Sequence, residues 1–194
     1  MEKLRTAMED LIQTKMPDSD WDFFQSKLIY KEFPKKHRLL DAGQTERYLS
    51  FTLKGIIRFF IPNPESETTV FFAFDGWFTS VYDSFVTQRP SYYAAEILEP
   101  TAMLRISYAD LQEVYAKTSV GNLIGRKASE TLFVLKTQRE ISLVNLTAEQ
   151  RYLQLLKEQP QYIQQIPQKH LASYIGITPQ ALSRIKNRTA TSKD

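Results

Sequence analysis

The stretch QKHLASYIGITPQALSRIK, residues 168–186, predicts two helices joined by a tight turn. Apolar residues recur on one face of the first helix, at Leu171, Ala172 and Ile175. Gly176 stands where the chain must turn sharply, because glycine adopts a positive φ without steric cost. Thr178 is a good N-cap residue, and Pro179 follows it at the first helical position. The stretch therefore predicts a helix-turn-helix.

The second helix of this motif has the composition of a DNA-reading helix. Leu182 and Ile185 point into the same small core as the first helix. Arginine can donate two hydrogen bonds to guanine, and glutamine suits adenine, so we expect Arg184 and Gln180 to contact base edges. Further candidates for phosphate or base contacts are Thr178 and Ser183, and candidates for phosphate contacts alone are Lys169, Lys186 and Arg188. The alternative is an ordinary helical hairpin with a solvated basic face.

Positive charge is concentrated in the last quarter of the chain. The whole chain has a net charge of +3, whereas residues 145–194 contain seven basic and three acidic residues, a balance of +4. The other residues contain 18 basic and 19 acidic side chains, a balance of −1. This distribution is what a partner with a phosphate backbone requires, and it favours duplex DNA as the partner.

The residue types that are missing exclude several kinds of chemistry. The chain has no cysteine, which removes thiolate nucleophiles, iron–sulfur clusters, cysteine-rich zinc sites and disulfides. The first residues, Met-Glu-Lys-Leu-Arg, do not form a signal peptide, and the apolar stretches are too short to span a bilayer. We therefore expect a soluble, cytoplasmic protein without a membrane partner.

Between Ile29 and Ser107, short aromatic and β-branched runs alternate with turn residues. The predicted strands are Ile29–Phe33, Arg38–Asp41, Tyr48–Thr52, Gly55–Pro62, Thr68–Phe74, Tyr92–Leu98 and Ala102–Ile106. The turns predicted between them include Lys54-Gly55 and Asp75-Gly76. Many short strands at close spacing indicate a barrel, a jelly roll or a sandwich and not a parallel sheet.

A long helix is predicted to follow the strands. Its stripe at three- and four-residue steps consists of Val120, Leu123, Ile124, Ala128, Thr131, Leu132, Leu135, Gln138 and Ser142. A helix with such a stripe needs a surface to pack on, and we expect both its own barrel and the same helix of a second chain. The alternative is burial within one subunit. Thr147 and Gln150 then form a predicted capping box at the start of another helix.

The order of these parts resembles the Crp/Fnr-type family of bacterial transcription regulators over nearly the whole chain. The resemblance is carried by Leu39–Gly43 and Tyr48–Phe59, by Met103–Leu111 and by the helix-turn-helix. It implies an α+β fold, in which an antiparallel, jelly-roll-like β-roll of the cyclic-nucleotide-binding type precedes a long helix and a small helical domain. It also implies a homodimer that binds half-sites roughly 34–36 Å apart in double-stranded DNA, with RNA polymerase as a further partner.

The domains implied are a β-roll sensor over residues 1–117, a dimerisation helix over 118–144 and a DNA-binding domain over 145–194. Members that bind cyclic AMP use a Gly-Glu pair and an Arg-Ser pair, where this chain has Ser80-Val81 and Pro90-Ser91. Valine cannot accept the ribose hydrogen bond, so we do not expect cyclic AMP as the ligand.

The residues around these positions form a candidate effector pocket. Its members are Phe74, Trp77, Tyr82, Ser84, Arg89, Ser91 and Tyr93. The aromatic residues among them either fill the space themselves as core or surround a flatter ligand of unknown identity. The sequence identifies no cofactor.

Two alternatives to a regulator follow from what the sequence lacks. Residues 159–167 are too short for the β-hairpin wing that the family usually has, so the chain could be a β-roll ligand sensor or scaffold with weakened or lost DNA binding. A cupin-type metalloenzyme needs several metal ligands in its barrel, but His37 and His170 are the only histidines. We predict neither catalytic residues nor a metal site, and therefore no enzyme.

Overall fold

The computed structural model describes residues 1–191. All predicted site residues lie within this range. Lys193 and Asp194, which enter the charge balance, and the end of the predicted 145–194 domain lie outside the described residues. Two helices, α1 Glu2–Ile12 and α2 Asp18–Ser26, precede the first strand.

Six strands form one sheet, and the helices flank and follow it. The strands are β1 Ile29–Phe33, β2 Arg38–Leu40, β3 Tyr48–Pro62, β4 Glu67–Ala73, β5 Phe78–Thr79 and β6 Ala94–Ser107. The remaining helices are α3 Tyr82–Thr87, α4 Tyr108–Lys117, α5 Gly121–Asn145, α6 Ala148–Glu158, α7 Pro160–Gln165, α8 Gln168–Ile175 and α9 Pro179–Thr191. The predicted α+β class with an antiparallel sheet is confirmed.

The pairing of β3 with β6 is the longest in the sheet. β1, β2 and β3 all pair with β6 in antiparallel fashion, β5 pairs with β3, and the path of the sheet is β1-β6-β3-β4. The strand predicted at Ile29–Phe33 has the observed bounds. β5 is a short strand that the sequence pattern did not indicate.

The turn predicted at Lys54-Gly55 is wrong, because β3 runs through both residues. The register of β3 against β6 shifts on both sides of Lys54, which is the mark of a β-bulge. Gly55 has a φ of +118°, and a Cβ atom there would lie 2.1 Å from the Thr101 hydroxyl oxygen and 2.7 Å from the Thr101 Cα. Glycine is therefore required by the approach of β6 and not by a change of chain direction.

The chain divides into two compact units. The first contains residues 1–62 and 71–132, and the second contains residues 63–70 together with the chain from Phe133 onward. This division falls within α5, whereas the sequence places a boundary near Val144-Asn145. The sensor, dimerisation helix and DNA-binding domain assigned from the sequence therefore remain a prediction.

Two apolar clusters form the core of the first unit. One joins α1, α2 and α4 to the sheet and includes Leu4, Met8, Trp21, Phe24, Phe51, Phe85, Leu104, Ile106, Leu111 and Val114. The other lies within the roll and consists of Leu40, Ile57, Phe59, Ala73, Val81, Ala95, Ile97 and Met103. Among the described residues, no helix is both long and apolar enough to cross a membrane.

Within the described residues, the second unit contains the second half of α5 and the helices α6 to α9. The predicted capping box is present, since the Gln150 N–H donates to Thr147 Oγ1 at 3.2 Å and the Thr147 N–H donates to Gln150 Oε1 at 2.8 Å. Residues 159–167, predicted to be too short for a wing, contain the short helix α7. α8 and α9 occupy the positions predicted for the helix-turn-helix.

We predict that Gly55→Ala destabilises the first unit more than Gly43→Ala does. Both glycines have positive φ, so each alanine would cost about 1–3 kcal/mol in backbone strain. Only the Gly55 substitution also drives a Cβ atom into Thr101, because a Cβ on Gly43 would meet nothing within 4 Å. Denaturant unfolding followed by tryptophan fluorescence measures both losses. Equal losses would contradict the assignment of Gly55 to a close strand approach.

Candidate nucleic-acid interface

The turn between α8 and α9 is closed by local hydrogen bonds. Gly176 ends α8 with a φ of +87°, and the Ile177 N–H donates to the Ala172 carbonyl at 3.0 Å. Thr178 Oγ1 accepts the Ala181 N–H at 3.2 Å and so caps α9. Glycine at this position and threonine as N-cap are the two local signals that the sequence analysis used, and the structure confirms the motif.

A small apolar core holds α9 against α8. The buried side chains of the two helices are Leu171, Ala172, Tyr174, Ile175, Leu182 and Ile185, with exposed fractions between 0 and 7%. The amphipathic pattern predicted for both helices is therefore present. The side chain of Gln168 adds a polar link, because its Nε2 donates to the Pro179 carbonyl at 3.2 Å.

The predicted DNA-contacting residues are accessible to different degrees. Gln180 and Arg184 are exposed on α9, as Lys169 is on α8 and Thr178 is before α9, although the Thr178 hydroxyl is already used as the cap. The half-buried ones are Ser183 and Lys186. Arg184 lines a groove that also contains Arg188 and Asn187, and its other lining residues are Ala148, Ile177, Ala181 and Ile185.

Arg188 differs from the other predicted phosphate contacts. Its Nη2 donates to the carboxylate of Glu149 on α6 at 3.0 Å, and both side chains are solvent-accessible. The sequence did not indicate this pairing, because the two residues lie 39 positions apart.

Two arginines that the sequence analysis did not assign to the site hold the end of α8. Arg151 donates from Nε to the Ile175 carbonyl at 2.9 Å and from Nη1 to the Leu146 carbonyl. Arg139 donates to the Tyr174 carbonyl and lies over the Tyr174 ring, with its Cζ 3.9 Å from the ring centroid. Since the last carbonyls of a helix lack partners within the helix, the guanidinium groups satisfy them.

Burial perturbs the titrating groups at this junction. It lowers the pKa of the Arg139 guanidinium, which nevertheless remains a cation, as arginine does in proteins. It raises the pKa of the Tyr174 and Tyr162 phenols, whose rings lie 5.4 Å apart. The tyrosines are therefore neutral at ordinary pH, and Arg139 is held by carbonyl and ring contacts instead of by a carboxylate.

A hydroxyl group ties the start of β4 to α8. Ser173 Oγ donates to the Glu67 carbonyl at 2.7 Å and accepts the Thr69 N–H at 2.8 Å. Both partners are backbone groups of residues 63–70, which belong to the same compact unit as α8. No sequence pattern indicated this contact, because the bonds depend on backbone position and not on the side chains at Glu67 and Thr69.

The second half of α5 has an exposed apolar face. Phe133, Val134, Ile141 and Val144 are 71, 51, 53 and 78% exposed. Ile141 is eight positions after Phe133 and Val144 is three positions after Ile141, so these side chains lie on one side of the helix. The stripe predicted from the sequence is confirmed at Val120 and Ile124, which contact the core of the first unit. The stripe does not include the exposed apolar face.

The aromatic members of the predicted effector pocket pack mostly on other aromatic or apolar groups. Trp77 and Tyr93 pack against the apolar cluster within the roll. Phe74 is buried, and its ring centroid lies 5.9 Å from that of Trp77. The hydroxyl group of Tyr82 lies 2.9 Å from Ser129 Oγ on α5.

The two serines of the predicted pocket are bonded to backbone groups. Ser84 and Ser91 are buried, with exposed fractions of 2 and 4%. Ser84 Oγ accepts the Glu46 N–H at 3.0 Å and donates to the Arg89 carbonyl, while Ser91 Oγ accepts the Tyr93 N–H at 2.8 Å. The residue Arg89 itself is exposed.

A buried carboxylate lies beside this loop and was missed in the sequence. Glu46 is 8% exposed and accepts the N–H groups of Arg47 and Tyr48 at 2.9 and 3.0 Å. Burial raises its pKa, an effect that these N–H groups and the Arg105 guanidinium at 3.9 Å oppose. The pattern gave no signal for it, since Glu46 occupies a polar connection between two strands.

Val81 occupies the position at which the resemblance places a ribose-binding glutamate. It is 3% exposed and belongs to the apolar cluster within the roll. The preceding Ser80 donates from Oγ to the Tyr48 carbonyl at 3.0 Å. Neither side chain offers a free carboxylate at this point of the roll.

Solved structures of bacterial regulators share this fold. FixK2 from Bradyrhizobium japonicum is 15% identical, with a TM-score of 0.71 over 86% of this chain and 86% of its own. The c-di-GMP-responsive global regulator CLP from Xanthomonas campestris is 15% identical, with a TM-score of 0.70 over 91% and 93%. The catabolite activator protein of Thermus thermophilus is 16% identical, with a TM-score of 0.58 over 94% and 88%.

No protein-family model and no curated protein sequence matches the chain. The structural likenesses confirm the predicted resemblance to Crp/Fnr-type regulators at the level of the fold, over most of the chain. The fold is thus one that solved bacterial regulators also have, and the activity of this chain has to be argued from its own residues.

We predict that Arg151→Met loosens the end of α8 without affecting the β-roll. The substitution leaves the Ile175 and Leu146 carbonyls without the guanidinium, and losing a hydrogen bond to a charged group typically costs about 1.5–3 kcal/mol. Amide hydrogen exchange over residues 171–178 should accelerate by about tenfold or more. The control is Lys157→Met at the end of α6, which should not change exchange in α8. Unchanged exchange in Arg151→Met would contradict the role given to Arg151.

Proposed function

We propose that this chain is a DNA-binding transcription regulator of the Crp/Fnr type that acts as a homodimer. The observation that carries the proposal is the exposed side of α9, where Gln180 and Arg184 extend from a helix whose opposite side is buried. The fold shared with solved regulators supports the same assignment. The predicted 145–194 region is the DNA-binding part, residues 118–144 are the dimerisation helix and residues 1–117 are the sensor.

Roles within the proposed interface follow from chemistry and accessibility. Arg184 and Gln180 are the proposed base readers, because their side chains can each form two hydrogen bonds to one base edge. Lys169 and Lys186 are proposed phosphate contacts, with Thr178 and Ser183 as short polar contacts at the start of α9. Arg188 is a proposed phosphate contact that must first be released from, or share its charge with, Glu149.

The exposed face of α5 supports the homodimer. Four large apolar residues on one side of a helix form a surface that a single copy of the chain does not cover. A second copy of the same helix is complementary to it by symmetry. This face, and not the predicted stripe, is the proposed contact between copies. The contact would place the two α9 helices at the spacing of successive half-sites in DNA.

We further propose that the β-roll does not use the contacts that bind cyclic AMP in related regulators. Val81 supports this, because it is part of the apolar core and has no group to accept a hydrogen bond. Ser91 supports it as well, since its hydroxyl accepts the Tyr93 N–H. RNA polymerase is a partner that the proposed function implies and that no residue here identifies.

We predict different effects from two substitutions on α9, measured after an operator has been selected from random duplexes. Arg184→Ala should weaken operator binding by about tenfold to a hundredfold, since a bidentate base contact discriminates by about 1–3 kcal/mol, and change binding to scrambled DNA little. Lys186→Ala should weaken both duplexes alike and lower the salt slope by about 1. The reverse pattern would overturn these roles, and a selection that enriches no motif would favour the sensor or scaffold alternative.

We predict that Ile141→Asp separates the two copies of the dimer. A carboxylate in the centre of an apolar contact should weaken dimerisation by at least tenfold, which corresponds to about 1.4 kcal/mol. The control is Thr131→Asp, which adds the same charge at an exposed position of α5 in the predicted stripe but outside the exposed apolar face. Sedimentation at micromolar concentration distinguishes one copy from two. Dissociation by Thr131→Asp alone would restore the predicted stripe as the interface.

A further inference from the structure

The contact between Arg188 and Glu149 places an acid on the proposed phosphate-binding surface. Arg188 lies in the last turn of α9, and Glu149 lies in the first turn of α6. Their charged groups are 3.0 Å apart, with 64 and 40% of the two side chains exposed. Because both charged groups are accessible to solvent, the Glu149 carboxylate pairs with Arg188 at the protein surface and not in a buried structural site.

The position of Glu149 is distinctive among the acids of the C-terminal region. Of the three acids in residues 145–194, Asp194 lies outside the described residues, and Glu158 accepts a hydrogen bond from Gln154 at 3.0 Å. Glu149 follows Ala148, which lines the same groove as Arg184 and Arg188. Within residues 145–191, Glu149 is therefore the acid that pairs with Arg188 next to this groove.

A carboxylate and a phosphate bind arginine in the same way. Both offer two oxygens to the guanidinium fork, so a DNA phosphate at Arg188 must displace Glu149 or share the cation with it. Binding a phosphate releases counterions from DNA, and this release supplies most of the affinity that does not depend on sequence. A cation that already carries a carboxylate contributes less to that affinity.

We propose that Glu149 is an internal competitor for phosphate at Arg188 and lowers the sequence-independent affinity of the chain for DNA. This inference rests on the proposed function and deepens it, since it names the residue that limits binding to non-cognate duplexes. The base contact of Arg184 can then dominate the recognition of an operator, because that contact depends on sequence, whereas Glu149 restrains the sequence-independent phosphate contact of Arg188. The restraint matters because non-specific sites vastly outnumber operators.

The test is a double-mutant cycle on the full chain, with duplex binding measured across a range of salt concentrations. Glu149→Gln should tighten binding to a scrambled duplex severalfold and steepen the plot of log K against log salt by about 0.9, the value for one additional phosphate contact. Arg188→Gln alone should weaken binding to the scrambled duplex, because it removes a phosphate contact that Glu149 already restrains. In the double variant, the gain from Glu149→Gln should disappear.

Glu158→Gln is the matched control, because it removes the same charge from the same helix away from the groove. It should not steepen the salt slope, and thermal unfolding should show that all variants are folded. An equal gain from Glu158→Gln, or a gain from Glu149→Gln that persists without Arg188, would reduce the effect to net charge and overturn the inference. No gain from Glu149→Gln would also overturn it.

Elution from heparin, a polyanion without base sequence, separates this inference from the proposed function. If Glu149→Gln elutes at higher salt only when Arg188 is present, while the wild-type chain selects no DNA motif, the competitor role stands and the regulator function fails. If the chain selects a motif and Glu149→Gln elutes like the wild type, the regulator function stands and the competitor role fails.

Discussion

Two guanidinium groups at the C-terminal end of α8 hold together the part of the chain that is proposed to meet DNA. Arg139 extends from α5 and Arg151 from α6, and their partners are the neighbouring carbonyls of Tyr174 and Ile175. The last carbonyls of a helix generally lack partners within the helix, and a cation at a helix C-terminus is also favoured by the helix dipole. The next residue, Gly176, turns the chain into α9. The direction in which α9 presents its side chains therefore depends on bonds made by two other helices.

The second half of α5 presents different side chains on two sides, because residues at different positions of the helical period point in different directions. Arg139 and the buried Ser142 face α8 and α6, where Ser142 Oγ lies 3.4 Å from the side-chain oxygen of Gln154. Phe133 and Ile141 lie on another side of the same helix and are exposed. A second copy that covered the apolar side would thus contact a helix whose opposite side is bonded to the helix-turn-helix. Through this helix the proposed contact between copies would be linked to the orientation of α9, within one compact unit.

Sequence reasoning succeeded where the cause of structure is local. The end of α8 and the start of α9 follow from Gly176 and the Thr178 cap, which act over four residues or fewer. It failed at Gly55, because a positive φ serves a turn and a bulge equally well, and only the approach of Thr101 from a distant strand distinguishes them. The same limit hid the ion pair of Glu149 and the exposed face of α5. A periodic stripe identifies a buried side of a helix, but it does not reveal a second side that remains uncovered.

The identity of residue 81 bears on the proposal that the roll does not use the ribose contact of cyclic-AMP-binding regulators. Val81 packs among Ile57, Ile97 and their neighbours, and burying such a side chain contributes about 1.5–3 kcal/mol. A carboxylate in the same apolar cluster would lose its hydration, which costs several kcal/mol per ion. A residue at this position can therefore complete the apolar core or bind a ribose hydroxyl, but the same environment does not favour both. Since Ser84 and Ser91 also bond to their own loop, the polar groups of the roll stabilise the fold that Val81 completes.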